Sequence, residues 1–285
     1  MKVGVVGLGL IGGSIAKRFR ELGKEVFGFD SDRTILDFVK LSGDIDDELT
    51  DDKIGKCDYI FLAISPDESI DWLRENSKNL NSKTVVIDCC GTKRKICKEG
   101  FEKAAQYGFT FIGGHPMAGN HKGGFKNSSG DLFKGASMVL VFKERKDFKL
   151  MVEVKTTLEE LGFLKIIVSS AEEHDEIIAY TSQMPHLVSN AFVKSKTALI
   201  SDRLISGGSF RDFTRVAYLD EDMWTELFME NKDNLKYELD ILIEELNRYR
   251  SAIEAGDETN LRDLLAEGKN RKVEVEKYGT GTLGK

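Results

Sequence analysis

Residues 113–119 read Gly-Gly-His-Pro-Met-Ala-Gly, at the end of the short apolar run 109–114. A histidine titrates near neutral pH and can take or give a proton at the open end of a sheet; it can equally cap a turn. Its company decides between the two. Residues 7–12, Gly-Leu-Gly-Leu-Ile-Gly, fit the G-x-G-x-x-G spacing, follow the apolar run 2–7 and open a helical pattern. In that setting Gly7 permits a tight turn, Gly9 lets the backbone approach a pyrophosphate, and Gly12 lets helix and strand pack closely. Leu10 and Ile11 fall in the first helical turn, where free N–H groups and the positive dipole end favour an anion. Asp30 closes the second apolar run, about 20 residues on, where a carboxylate accepts from a ribose 2′-hydroxyl and repels a 2′-phosphate. NAD is therefore expected over NADP, with the nearby Arg33 weakening the preference. A nicotinamide enzyme oxidising an alcohol needs an acceptor for the hydroxyl proton, and His115 lies where one is wanted.

Other candidates are less specific. Residues 63–66, Ala-Ile-Ser-Pro, and 88–93, Asp-Cys-Cys-Gly-Thr-Lys, each follow a strand pattern. Doubly wound sheets bind ligands at such carboxyl ends, so Ser65 and Thr92 are candidates, although ordinary turn chemistry around Pro66 explains the first as well. His121 lies six residues beyond His115, a spacing that suits neither one helix face nor a zinc finger, so no metal is expected. His186, in Met-Pro-His-Leu, reads by itself as a core histidine. Arg211 and Arg215 stand four apart, on one face of a helix, able to clamp a carboxylate or to pair with Asp212 and Asp220 on the surface. Spacing does not choose between these.

Apolar runs at 2–7, 25–30, 59–64, 84–89, 109–114, 137–142 and 164–169 alternate with amphipathic stretches. This is the pattern of an α/β domain with a parallel, doubly wound, Rossmann-type sheet, expected over residues 1–169. Residues 170–285 lack strand patterns and read as an all-α domain. A long helix is expected over 171–200, kinked at Pro185, and another over 221 to about 253. The second carries Leu235, Leu239, Leu242, Leu246, Tyr249 and Ile253 at alternating spacings of four and three, a seam that suits a helix from a second subunit. Residues 279–285 are expected to lack regular structure.

The 285 residues carry a net charge of −7, which argues against nucleic acid or an anionic membrane as the main partner. No apolar run approaches the ~18 residues of a membrane span, and glycine punctuates the N-terminus too densely for a signal peptide. A cytoplasmic protein is expected, and its four cysteines are read as reduced packing residues.

Taken in order, Gly-Gly-His-Pro-Met-Ala-Gly (113–119), Met-Pro-His-Leu-Val-Ser-Asn-Ala (184–191), Gly-Gly-Ser-Phe-Arg-Asp-Phe-Thr-Arg-Val-Ala (207–217) and Asp-Met-Trp-Thr-Glu-Leu-Phe-Met-Glu-Asn-Lys-Asp-Asn (222–234) make the chain resemble the prephenate/arogenate dehydrogenase family of tyrosine biosynthesis. The resemblance implies a Rossmann domain followed by a helical dimerisation domain, a homodimer, and NAD-dependent oxidative decarboxylation of prephenate, or in the alternative of arogenate. It also implies that His115 is the catalytic histidine, that Arg215 binds a substrate carboxylate, that His186 is a second active-site histidine, and that Arg211 stands where a basic residue is frequent. Three positions depart from the family pattern. Gly91 replaces a frequent serine, so that either Thr92 beside it substitutes or that serine's assistance is absent; His121 replaces an acidic residue; and Gln183 replaces a histidine. A β-hydroxyacid dehydrogenase would place a lysine in a G-x-x-x-K pattern on the helix after the nucleotide domain, whereas Lys194 and Lys196 come near that helix's end. A catalytically silent NAD-binding regulator is the remaining alternative, and His115, His186 and Arg215 together count against it.

Overall fold

A computed structural model describes residues 1–119, 123–144, 147–200 and 207–279; His121 and the segment 280–285 lie outside them. The order of elements is β1 (Lys2–Val6), α1 (Leu10–Glu21), β2 (Glu25–Phe29), α2 (Arg33–Leu41), β3 (Asp47–Glu48), α3 (Asp51–Ile54), β4 (Tyr59–Leu62), α4 (Pro66–Asn76), β5 (Val85–Asp88), α5 (Arg94–Tyr107), β6 (Thr110–Met117), β7 (Ser137–Val141), α6 (Phe148–Glu160) and β8 (Lys165–Ser169). Helices follow: α7 (Ala171–Ile178), a π-helical turn (Ala179–Gln183), α8 (Met184–Phe192), α9 (Lys196–Ile200), α10 (Gly208–Thr214), α11 (Glu221–Glu230), α12 (Lys232–Ala255) and α13 (Glu258–Gly279). By internal contacts the chain forms two compact units, Met1–Lys232 and Asp233–Lys285.

In the first unit eight strands make one sheet in the order β3-β2-β1-β4-β5-β6-β7-β8. Its middle strands bury both faces, which is why they read as continuous apolar runs rather than alternating ones. Along β1, Val3 and Val5 join a core with Phe19, Phe61 and Ile87, while Val6 faces the opposite core with Ile60, Leu62 and Ile96. The wholly parallel sheet expected from the strand pattern is interrupted once. Strand β7 runs antiparallel to β6, pairing Val139 with His115 and Leu140 with Gly114. The described part of the β6–β7 connection holds no α-helix, only a 3₁₀ turn at Phe125–Asn127. A parallel return needs a crossover, usually a helix, so the chain comes back antiparallel. That turn packs on α1, where a Cβ on Gly13 would come within 2.7 Å of the Phe125 ring.

The helices depart from their predicted spans for identifiable reasons. The helix expected over 171–200 runs as α7, π turn and α8 and stops at Phe192. Pro185 has no N–H to return to the preceding turn, and the wider π turn falls in the residues just before it. The helix expected over 221–253 breaks at Asn231, which leaves helical geometry at φ −113° and ψ 25°. The second unit is a helical pair. Gly256 turns it at φ +64°, Ala252 and Leu264 are buried, and Tyr249 donates to the Leu264 carbonyl at 3.1 Å. Helix α13 had no counterpart in the sequence reading. Of the predicted seam, Leu235 is buried, whereas Leu246 and Ile253 are 57% and 65% exposed. No described helix is long and apolar enough to cross a membrane.

One buried ion pair ties the carboxyl end of the sheet together. Lys93 and Asp88 are both wholly buried. The Lys93 ammonium donates to the Asp88 carboxylate and to the Gly114 carbonyl at 2.6 Å, while Asp88 also accepts from the N–H groups of Cys90 at 3.0 Å and Gly114 at 3.1 Å. Burial by itself would lower the lysine's pKa, but the adjacent carboxylate outweighs it and the group stays charged. Removing one partner strands a buried charge. Lys93→Ala is expected to cost about 3–5 kcal/mol in denaturant unfolding, well beyond a surface lysine change.

Candidate active site

The glycine turn leaves β1 at Gly7, whose φ is +84°. A Cβ there would meet Ile64 and the Ala63 carbonyl within 2.6 Å, and one on Gly12 would lie 1.8 Å from the Gly7 carbonyl oxygen. Gly9 differs: a Cβ on it meets nothing within 4 Å, so its side faces open space. Gly9 is the N-cap of α1 and offers no side-chain cap, and the first turn, with Leu10 and Ile11, carries no acidic residue. The N–H groups of that turn are thereby left to a ligand. The Asp30 carboxylate accepts from Leu8 N–H at 2.7 Å and Asp32 N–H at 2.9 Å, so it pins the turn as well as facing the crevice. Arg33 is engaged by Glu48 in a two-pronged pair at 2.8 and 2.9 Å and by Asp37 at 2.9 Å. Asp30, Glu48, Asp51 and Asp52 line the crevice beside it. Ser65 accepts from Glu68 N–H at 3.4 Å and donates its own N–H to the Glu68 carboxylate at 3.1 Å, a complete capping box at the start of α4.

His115 lies on β6, three residues beyond Ile112, which pairs with Ile87 near the end of β5. It therefore stands past the carboxyl edge of the parallel strands, on the same edge as the glycine turn. Its Nδ1 is 2.9 Å from Nε2 of His174, and Nδ1 of His174 is 2.8 Å from Oδ1 of Asp175. His174 and Asp175 are 3% and 1% exposed, while His115 is partly open. Asp175 also accepts from the N–H groups of Lys93 at 2.7 Å and Arg94 at 2.9 Å, and from Nε of Arg94 at 3.2 Å. Among the described residues Nε2 of His115 makes no hydrogen bond. Burial, then the neighbouring His174 and Lys93, push the His115 imidazole well below its usual range. Burial pulls the Asp175 carboxyl up, yet hydrogen bonds from His174 and the two backbone N–H groups hold it below the ordinary value.

A second network joins this chain to α11. Asn231 donates to the Asp175 carbonyl at 2.7 Å and to the Gln183 side-chain oxygen at 2.9 Å, and accepts from Arg94 at 3.0 Å. Gln183 in turn donates to the Leu227 carbonyl at 3.0 Å. Both ends of its amide are used inside the protein, and it is 2% exposed. Thr92 is equally buried and donates to Glu230 at 2.5 Å. A serine in place of Gly91 would press on Leu227, 3.1 Å from the Cβ position. His186 contacts the Ser182 carbonyl through Nδ1 at 2.8 Å and stacks on Trp224 with ring centres 4.1 Å apart. Arg211 lies in α10 and Arg215 at its C-cap, both exposed. Helix α10 is held to α8 by Ser189, which donates to the Phe213 carbonyl at 2.7 Å, and by the Phe192–Phe213 ring contact.

The sequence reading passed over His174, Asp175, Lys93, Arg94 and Asn231. A signal existed for the first two. The buried residues of α7 are Ala171, His174, Asp175 and Ile178, an i, i+3, i+4, i+7 face on which apolar side chains are the rule. The glycine geometry also separates two roles. Gly9→Ala is expected to leave stability within about 0.5 kcal/mol and to weaken NAD binding by about tenfold or more in a fluorescence titration. Gly12→Ala is expected to lower stability itself, by about 1–3 kcal/mol.

The comparisons with known proteins agree with this geometry. A model of the prephenate dehydrogenase nucleotide-binding domain matches residues 15–167, and one of the prephenate dehydrogenase dimerization domain matches residues 170–267. A prephenate dehydrogenase of Bacillus subtilis is 29% identical over 267 residues, covering 90% of this chain and 71% of that protein. The structure of A. aeolicus prephenate dehydrogenase in complex with hydroxyphenyl propionate and NAD+ superposes with a TM-score of 0.79 at 29% identity, covering 96% of this chain and 98% of that one. Synechocystis arogenate dehydrogenase superposes with a TM-score of 0.78 at 26% identity, covering 96% and 100%. With both of its halves matched in this way, the chain belongs to the prephenate dehydrogenase family.

Proposed function

We propose that the protein catalyses the NAD-dependent oxidative decarboxylation of prephenate to 4-hydroxyphenylpyruvate. The observation that carries this reading is Nε2 of His115, unbonded among the described residues and backed by His174 and Asp175, on the same sheet edge as an uncapped glycine turn. The residues present fit NAD. Gly9 leaves room for the pyrophosphate, the first turn of α1 offers N–H groups without a competing carboxylate, and Asp30 stands where a ribose hydroxyl would donate. The acidic wall of Asp30, Glu48, Asp51 and Asp52, with Arg33 already paired, disfavours a 2′-phosphate and hence NADP. Bound NAD supplies the hydride acceptor.

The chain's own part is to orient the substrate and move a proton. His115 accepts the ring hydroxyl proton at Nε2, and the partial negative charge left on that oxygen favours departure of the carbinol hydrogen as hydride. The forming carbonyl is conjugated through the ring and takes up the electrons of the departing carboxylate, so loss of CO2 leaves an aromatic product. Because the His115 imidazole is held well below its usual range, it stays neutral and able to accept a proton through pH 7. We assign Arg215 to a substrate carboxylate, with His186, Arg211 and His121 as further substrate-side candidates. Gln183 and Thr92, both buried and bonded within the protein, support the site's frame in this reading. The family's dimerization domain and the exposed Leu246 and Ile253 of α12 support a homodimer built on residues 170–285, and we place the enzyme in the cytoplasm. Arogenate, which differs by an amino group in place of the keto oxygen, is the second reading; the similarity to an arogenate dehydrogenase favours keeping it under test.

NADH formation at 340 nm with prephenate and arogenate in parallel tests the assignment: faster turnover of prephenate is expected, and silence with both would overturn it. His115→Asn is expected to lower kcat by ~10²–10⁴-fold with KM near normal, and Arg215→Ala mainly to raise KM. For a base whose pKa is depressed, the active neutral form persists as pH falls through the ordinary histidine value. kcat is therefore expected to hold from pH 8 to about 6.5 and to decline only below it.

A further inference from the structure

The hydrogen bonds behind His115 determine where its protons are. An ionised carboxylate only accepts, so Asp175, which already takes N–H groups from Lys93 and Arg94, fixes the proton of His174 on Nδ1. Neutral His174 then presents a bare Nε2, and the 2.9 Å contact to His115 requires the His115 proton to sit on Nδ1. That leaves Nε2 of His115 as the lone pair facing the site. The same two contacts also suit a second state, in which His174 carries both protons and His115 carries its proton on Nε2. The second state holds one proton more than the first: a proton arrives at Nε2 of His115 while the Nδ1 proton shifts to His174 within the 2.9 Å contact, and no heavy atom needs to move.

We propose that the proton taken from the substrate hydroxyl does not rest on His115 but is relayed to His174, where the Asp175 carboxylate holds the charge. The O–H bond breaks as a bond forms to Nε2 of His115. The Nδ1 proton of His115 passes to Nε2 of His174. The result is a neutral His115 and an imidazolium beside a carboxylate, with Asp175 still ionised. The surroundings favour that direction. His115 has the buried Lys93 ammonium, itself paired with Asp88, as its near cation. His174 has Asp175 at 2.8 Å, and Arg94 approaches the far oxygen of that carboxylate. His174 and Asp175 are positioning residues in this scheme, since they act through His115. The proposal rests on His115 being the base for the assigned reaction, but its proton order can be read without substrate.

The protein contains four histidines, so ring ¹⁵N spectra are simple enough to assign. In the wild-type protein near pH 8 we expect Nδ1–H tautomers for both His115 and His174. Asp175→Asn is informative because Oδ2 faces two donors of Arg94 and Oδ1 faces one backbone N–H, so the new amide is expected to turn its NH2 toward His174. Both histidines would then move to the Nε2–H tautomer, blocking the lone pair, and kcat is expected to fall ~10²–10⁴-fold. His174→Gln keeps an acceptor for His115 but cannot carry the proton: the Nδ1–H tautomer of His115 should persist while kcat drops at least about tenfold. An Nε2–H tautomer of His115 in the wild-type protein near pH 8, or a wild-type kcat in His174→Gln, overturns the relay. Absence of turnover with every substrate, alongside the expected proton order, would overturn the substrate assignment and leave the relay standing.

Discussion

A carboxylate that is 1% exposed must have its acceptor sites filled from within the protein, and Asp175 accepts from a histidine ring, two backbone N–H groups and a guanidinium. Satisfying it draws three elements together. Its own helix α7 brings His174, the N-terminus of α5 brings Lys93 and Arg94, and Asn231 at the end of α11 binds its main-chain carbonyl. A buried polar network of this kind is rigid when every member is satisfied and costly when one is missing. The site is therefore held at the seam of a sheet domain and the helices that follow it, without a loop having to provide the order.

Two buried anions, Asp88 and Asp175, sit on either side of the chain at Lys93. Asp88 neutralises the lysine side chain, and Asp175 binds the same residue's backbone N–H. Lys93 thus links the end of β5, the carbonyl of Gly114 and the start of α7 through one residue. The consequence for His115 is electrostatic. Burial first, and then the neighbouring His174 and the committed Lys93 cation, discourage protonation of its imidazole, while the contact to His174 is kept.

Much of this was legible in the chain. The glycine spacing, the alternation of apolar runs and the histidine past the fifth long run all follow from local rules: φ freedom, strand burial and helix dipoles act over a few residues. What escaped was set by contacts distant in sequence. Nothing local marks Asn231 as a break in a helical stretch; it departs from helix where its side chain meets Asp175, Gln183 and Arg94. The antiparallel return of β7 depends on the absence of a crossover helix in the described connection, which strand patterns do not register. His174 and Asp175 were visible as letters but not as partners of His115, 59 residues away from His174 in the chain. Gln183 and Thr92, proposed from family positions, turn their polar groups into the protein.

The pairing of His115 with Val139 places the histidine proposed as the base on a strand laddered to β7 as well as at a sheet edge. Its backbone is fixed by the sheet, whereas the residues after Met117 leave the ladder. The position of that histidine's backbone is thereby decoupled from whatever sequence follows Met117.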